Sequence, residues 1–100
     1  MTDRIKIIKL IEKELEEANE KHPLFQSPHE AWAVLKEEVE ELADDTTELK
    51  ARIKAMWSDV RSDRDIEPQS RLMYNAAINA ACEAIQTAAM CKKIEQSKLY

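Results

Sequence analysis

Apolar residues recur along the chain at helical spacing in three segments, separated by two short polar or proline-bearing stretches. In the first segment Ile5, Ile8, Ile11, Leu15 and Ala18 mark one face of a helix that Thr2 or Asp3 can cap and that runs to about Lys21. Glu12, Glu14, Glu16, Glu17 and Glu20 interleave with Lys9, Lys13 and Lys21 on the other faces. That is the arrangement of a solvated surface, so these acids are assigned no catalytic role. Pro23 forces His22 out of helical geometry, and Leu24 and Phe25 are expected to pack over the helix ends.

Ser27-Pro28-His29-Glu30 is a helix start signal, with Ser27 as cap, Pro28 at the first helical position and Glu30 as the reciprocal member of a capping box. From it Trp32, Leu35, Val39, Leu42, Thr46, Leu49, Ile53, Met56 and Val60 follow at alternating spacings of four and three, a heptad register interrupted only by Thr46. One helix to about Ser62 is predicted, with a kink or brief break allowed at Asp44-Asp45-Thr46-Thr47, which are poor helix formers. Glu67-Pro68 opens a third helix that runs to about Ser97 and is small and apolar nearly all round between Ala76 and Met90. A helix of that kind is enclosed by neighbours.

The predicted fold class is therefore all-α: a single domain over residues 1–100, with three long helices forming an antiparallel helical bundle. Two neighbours are too few to cover the third helix. A homo-oligomer, most simply a dimer, is expected to complete the bundle, with Ile78 and Ile85 turned toward another subunit. Trp32 and Trp57 are expected in the core. Cys82 and Cys91, nine apart on one helix, face different directions and are expected as buried reduced thiols.

Composition narrows the functions. Glycine is absent, which removes Gly-rich phosphate loops and the dinucleotide fingerprint. A net charge of -5 without a basic cluster argues against a nucleic acid polymer as partner. No stretch is apolar enough for a membrane helix and the first residues do not read as a signal peptide, so no membrane partner and a cytoplasmic location are expected.

The candidate chemistry is acidic. On the second helix the line Ala31, Leu35, Val39, Leu42 leaves Glu37 and Glu40 pointing away, while Glu38 and Glu41 fall along an edge of the buried stripe, with Asp45 one turn on. On the third helix Glu83 stands where a core residue belongs, in the stripe Leu72, Ala76, Ala80, Thr87, Met90 and Ile94. A buried carboxylate there must be protonated, paired with a cation or bound to metal. Arg71, Lys54 or Lys93 could supply a structural ion pair. If the acidic edges instead face each other, Glu38, Glu41 and Glu83 form a site for a hard cation such as Mg2+ or Mn2+. Asn75, Asn79, Gln86 and Lys93 share one polar edge beside Glu83; Gln86 can add an amide oxygen to the metal, and Asn79 and Lys93 can contact a phosphorylated ligand. No histidine or cysteine shares these edges, which argues against zinc.

The stretch Leu35-Lys36-Glu37-Glu38-Val39-Glu40-Glu41-Leu42, followed by Ala81-Cys82-Glu83-Ala84-Ile85-Gln86-Thr87-Ala88-Ala89-Met90, resembles the MazG-like, all-alpha nucleoside triphosphate pyrophosphohydrolase superfamily, and its small phage and Gram-positive bacterial members in particular. That superfamily carries Glu-x-x-Glu on one helix and Glu-x-x-Asp on the next. Glu38 and Glu41 match the first motif and Glu83 the first acid of the second. The resemblance covers about residues 25 to 95. It implies Mg2+ bound by these acids and hydrolysis of a nucleoside triphosphate to the monophosphate and pyrophosphate, with Glu38 or Glu41 holding the attacking water. Two features depart from the pattern: Gln86 stands where the family has aspartate, and Leu49 to Ser62 form extra helix between the motifs. The rival expectations are a family member that binds nucleotide without hydrolysis and a non-catalytic helical oligomerisation or interaction module.

Overall fold

A computed structural model of the protein describes residues 2–99. Among these residues the chain is all-helical: α1 (Arg4–Lys21), α2 (Pro28–Arg61) and α3 (Glu67–Ser97). Asp3 caps α1, its Oδ1 accepting from the N–H groups of Ile5 at 3.0 Å and Lys6 at 3.4 Å. His22, ahead of Pro23, leaves the helix in extended geometry with φ -139°. Ser27 Oγ accepts from the Glu30 N–H at 3.1 Å and opens α2 as expected. The reciprocal bond differs from a strict capping box, because Glu30 Oε2 accepts from the N–H of Gln26, at 3.3 Å, and not from that of Ser27.

α2 is one unbroken helix of 34 residues, about 51 Å long. In the weak stretch at its centre Thr46 and Thr47 turn their hydroxyls back onto Leu42 O (3.0 Å) and Ala43 O (2.9 Å), which satisfies those hydroxyls without interrupting the helix. The turn into α3 has Asp63 at φ 53°, a left-handed position that a glycine-free chain gives to aspartate, the next most tolerant class. Arg64 fastens this turn through Asp59 Oδ1 at 2.9 Å and Ser58 Oγ at 3.2 Å.

The helices run up, down, up. Arg52 Nη1 donates to Gln69 Oε1 at 3.4 Å and Val34 shares a cavity wall with Met90, so α2 and α3 are antiparallel. Asn19 Nδ2 donates to Gln96 Oε1 at 3.0 Å and Leu10 lines a cavity with Cys82 and Ile85, so α1 runs parallel to α3. α3 packs against both other helices, whereas the backbones of α1 and α2 do not pack on each other. With 18 residues, α1 is about 27 Å long and flanks α3 only from about Ile78 onward. The rest of α2 and α3 projects as a two-helix arm, giving a molecule of 56 × 28 × 21 Å.

The core is thin: Phe25, Ala31, Ala76 and Ala89 are its buried apolar residues, and Lys93 is buried with them. Several expectations are corrected. Trp32 and Trp57 are 63% and 61% exposed, because the side of α2 that meets α3 is centred one position earlier, on Ala31, Glu38, Asp45, Arg52 and Asp59, flanked by Leu35, Leu42, Leu49 and Met56. Val39, Ile53 and Val60 turn outward with the tryptophans. Leu72 is exposed, since α1 does not reach it. Cys82 and Cys91 are free and exposed. Ile85 lies against α1 beside Leu10, while Ile78 stays exposed. No helix among the described residues is long and apolar enough to cross a membrane.

Candidate metal centre

The shift of the α2 contact face by one residue puts Glu38 in the middle of the α2–α3 seam. Glu41, three residues on, is its neighbour on the adjoining row, and Glu83 rises from α3 opposite them. One carboxylate oxygen from each of Glu38, Glu41 and Glu83 lies within 4.8 Å of the other two. Glu38 and Glu83 are half-buried and Glu41 is exposed. Oε2 of Glu38 and Oε2 of Glu83 are buried without a hydrogen-bond partner.

No lysine or arginine among the described residues forms a salt bridge with any of the three. Arg71 pairs with Glu67 at 3.9 Å, and Lys36 with Glu40 at 3.2 Å on the outer face. Lys93 Nζ points at the carbonyl of His22 (3.5 Å) and stands 5.1 Å from the centre of the Phe25 ring. The three carboxylates therefore press on one another. Burial pushes the Glu38 carboxyl above its ordinary value, the charge of Glu41 adds to this, the side-chain interaction with Glu83 offsets part of it, and Glu37 and Glu14 contribute further upward. Glu41 is raised too, first by its side-chain interaction with Glu83, then by the charge of Glu83, by partial desolvation and by the charges of Glu37 and Asp45. Two buried oxygens with no donor, beside a third carboxylate, form an all-oxygen set suited to a hard divalent cation.

Gln86, one turn beyond Glu83, does not reach into open solvent. It lines, with Glu38, a cavity of about 260 Å3 between α1 and α2, whose floor continues through Met90. A second cavity of about 350 Å3 shares Ala18, His22, Val34 and Met90 with the first and ends at Phe25 and Lys93. A single groove thus runs from Glu38 to Lys93. The polar edge expected on α3 is divided by the fold: Asn75 and Asn79 are exposed, Gln86 is in the groove wall and Lys93 is buried at its far end. Asn79 is not drawn into the groove.

Sequence reasoning missed Glu14. It lines the groove with Glu38 and adds its charge there. The usable signal was its place one turn before Ala18 on the packing edge of α1, where an acid is less solvated than on the outer face. Glu37 and Glu40 lie outside the cluster, as the helical phase requires.

Comparison of the chain with models of known protein families, with curated proteins and with solved structures yields no match.

Proposed function

We propose that the protein is a divalent-metal-dependent hydrolase acting on a nucleoside triphosphate and releasing the monophosphate and pyrophosphate. The observation that carries this reading is the convergence of Glu38, Glu41 and Glu83 within 4.8 Å, with buried oxygens on Glu38 and Glu83 that among the described residues have no donor and no salt-bridged cationic side chain. Mg2+ or Mn2+ held there supplies positive charge to the phosphoryl oxygens and lowers the pKa of a bound water.

The chain's own residues then have distinct tasks. Glu38 and Glu83, half-buried on facing helices, would hold the cation, and Gln86 would lend an amide oxygen. Glu41, exposed at the edge of the cluster, is the acid placed to orient water, and with the cation bound its carboxylate would accept the proton that water gives up. The two adjoining cavities, about 260 and 350 Å3, lead from Glu38 to Lys93, which supplies positive charge at the far end for an anionic ligand. Asn79, on the solvent side one turn before Glu83, reaches only a ligand group that projects out of the groove. On this reading the protein works in the cytoplasm as a homo-oligomer.

The test is hydrolysis by the purified protein of a panel of nucleoside triphosphates, with and without Mg2+ or Mn2+, with pyrophosphate release as readout. Metal-dependent release that is lost in Glu38→Gln supports the reading; no release and no metal binding by calorimetry removes it. A second reading, a non-catalytic helical interaction module, is favoured by one observation, the long apolar outer face of α2.

A further inference from the structure

Lys93 is a buried cation with almost nothing to hold it. It is 3% exposed and forms no salt bridge among the described residues. Its amine has one acceptor, the carbonyl oxygen of His22 at 3.5 Å, and lies 5.1 Å from the centre of the Phe25 ring. An ammonium group carries three donors, so one long hydrogen bond and one ring face leave most of that capacity unused. Buried donors without acceptors are costly, and such a group marks a place where a ligand supplies the missing acceptor.

The space for that ligand is the cavity of about 350 Å3 that Lys93 lines, between the last turn of α1, the loop after it, the start of α2 and the last turns of α3. That volume lies at the small end of small-molecule sites. Its wall is preformed, because the Phe25 N–H donates to Ser97 Oγ at 2.9 Å and Ser97 Oγ donates to Lys93 O at 2.7 Å, which ties the loop to the helix that carries Lys93.

What shares the cavity decides which group of a ligand meets the lysine. Phe25, Val34 and Met90 make its walls apolar, and Glu30 is the acid in its lining. Glu30 Oε2 accepts from the Gln26 N–H at 3.3 Å, which leaves the other carboxylate oxygen for a ligand. A phosphate here would face this carboxylate as well as the lysine. A flat neutral ring that accepts from Lys93 and donates to Glu30 suits both charges and the apolar walls, and nucleobases are read in this way, by hydrogen bonds to one edge between apolar side chains. The edge required is a carbonyl beside a ring N–H. Guanine, hypoxanthine, uracil and thymine carry it; adenine and cytosine do not.

Glu83 and Lys93 are ten residues apart on α3, about 15 Å along the helix. A triphosphate held by a cation at the carboxylate cluster does not span that distance, so the base of the nucleotide falls at the Lys93 end. We propose that this cavity selects the base of the substrate, with Lys93 donating to a ring carbonyl oxygen and Glu30 accepting from the adjacent ring N–H, and that the substrates are nucleotides of oxo bases. The assignment of the ligand as a nucleotide rests on the hydrolase reading, whereas the cavity and its two polar groups lie apart from the carboxylate cluster.

The experiment titrates the full-length, metal-free protein with nucleosides, which carry no phosphate, and follows backbone amide shifts by NMR. Inosine and adenosine share one purine frame and differ at the edge in question, as uridine and cytidine do among pyrimidines. At least one oxo nucleoside should bind about tenfold or more tighter than its amino partner, with shifts at Phe25, Val34 and Lys93, and the pair that shows it tells whether purines or pyrimidines are taken. Lys93→Met and Glu30→Met keep side-chain length and remove the polar head, and each should abolish the preference with helix content by circular dichroism unchanged. Equal binding within both pairs, no binding at millimolar nucleoside, or displacement of the oxo nucleoside by inorganic phosphate overturns the proposal; the wild-type titration decides this even where a variant does not fold. Oxo-nucleoside binding without hydrolysis of any triphosphate would remove the hydrolase reading alone, and metal-dependent hydrolysis indifferent to the base would remove this inference alone.

Discussion

The end of the molecule that holds α1 and the arm that lacks it are built from the same two long helices, yet they differ in kind. At the three-helix end Phe25, Ala31, Ala89 and Lys93 are buried, and the Phe25 N–H is tied to Ser97 Oγ at 2.9 Å. In the arm Ala76 is the buried apolar residue, while Ile53, Trp57, Leu72 and Tyr74 are exposed and polar links such as Arg52–Gln69 and Asp59–Arg64 help join the helices. Two helices present one seam to each other, and only a third element closes off the faces beside it. The carboxylate cluster sits inside the closed end, where α1 brings Glu14 and the groove wall to Glu38. Burial there keeps one oxygen each of Glu38 and Glu83 from water while Glu41 stays exposed, and among the described residues the arm holds no comparable cluster.

The contrast can be broken most decisively at the cluster. Glu38→Gln or Glu41→Gln should lower metal-dependent pyrophosphate release by about 100-fold or more, equivalent to roughly 3 kcal/mol of lost charge stabilisation, whereas Glu37→Gln and Glu40→Gln on the outer face should change it little. Steady-state rates with Mg2+ decide it, and equal losses at all four positions would mean that the helical phase has no bearing on function.

Backbone opening should differ by a comparable factor. Amides near Leu49–Ile53 and Leu72–Ala76 are expected to exchange on the order of 100-fold faster than those near Ala31 and Ala89 in dilute protein, since local stability follows buried contact. Hydrogen exchange followed by mass spectrometry measures this, and slower exchange in the α2 part of the arm at high concentration would separate self-association from intrinsic order.

Truncation reads the same difference as energy. Phe25→Ala removes a 6% exposed ring packed on Lys93 and should cost about 3 kcal/mol, while Leu72→Ala, 47% exposed on the arm, should cost less than about 1 kcal/mol. Urea midpoints at constant slope give both values, and similar losses would show the arm to be as well packed as the closed end.

The smallest effects concern protons. Glu38 and Glu41 hold theirs more tightly in the folded chain than unfolded, so at intermediate pH unfolding releases protons. Their contribution to metal-free stability is full below the ordinary value of 4.5 and is lost as pH rises through the raised folded values. Stabilisation by Mg2+ should grow across the same window, because the cation binds the deprotonated groups. Glu83→Gln should leave metal-free stability unchanged or raise it by up to about 1 kcal/mol while abolishing the response to metal. Gln86→Asp should tighten metal binding and slightly lower metal-free stability. Thermal melts of both variants with and without metal test this, and a metal-independent loss in Glu83→Gln would make Glu83 half of an ion pair instead.

Local order was legible because its causes are local. The caps at Asp3 and Ser27, the exit before Pro23 and the starts at Pro28 and Glu67 each depend on residues within a few positions, and the observed helices follow them. The grouping of Glu38 and Glu41 apart from Glu37 and Glu40 followed from the helical repeat alone. The sequence could also mark Glu83 as an acid in a small-residue stripe, without saying what stood across from it.

What the sequence left open was which of two adjacent faces of α2 meets α3. Leu35, Leu42, Leu49 and Met56 serve both faces, so periodicity favoured the more apolar one, with Trp32 and Trp57 inside. The tertiary structure takes the other, since small Ala31 lets the helices approach closely and the small residues of α3 leave no room for an indole. That choice, one residue in phase, puts Glu38 in the seam beside Glu83, brings Glu14 to the groove, separates Lys93 from Asn79 and leaves the tryptophans outside. Helices are decided by neighbours in sequence, whereas a face is decided by the shape of whatever packs against it.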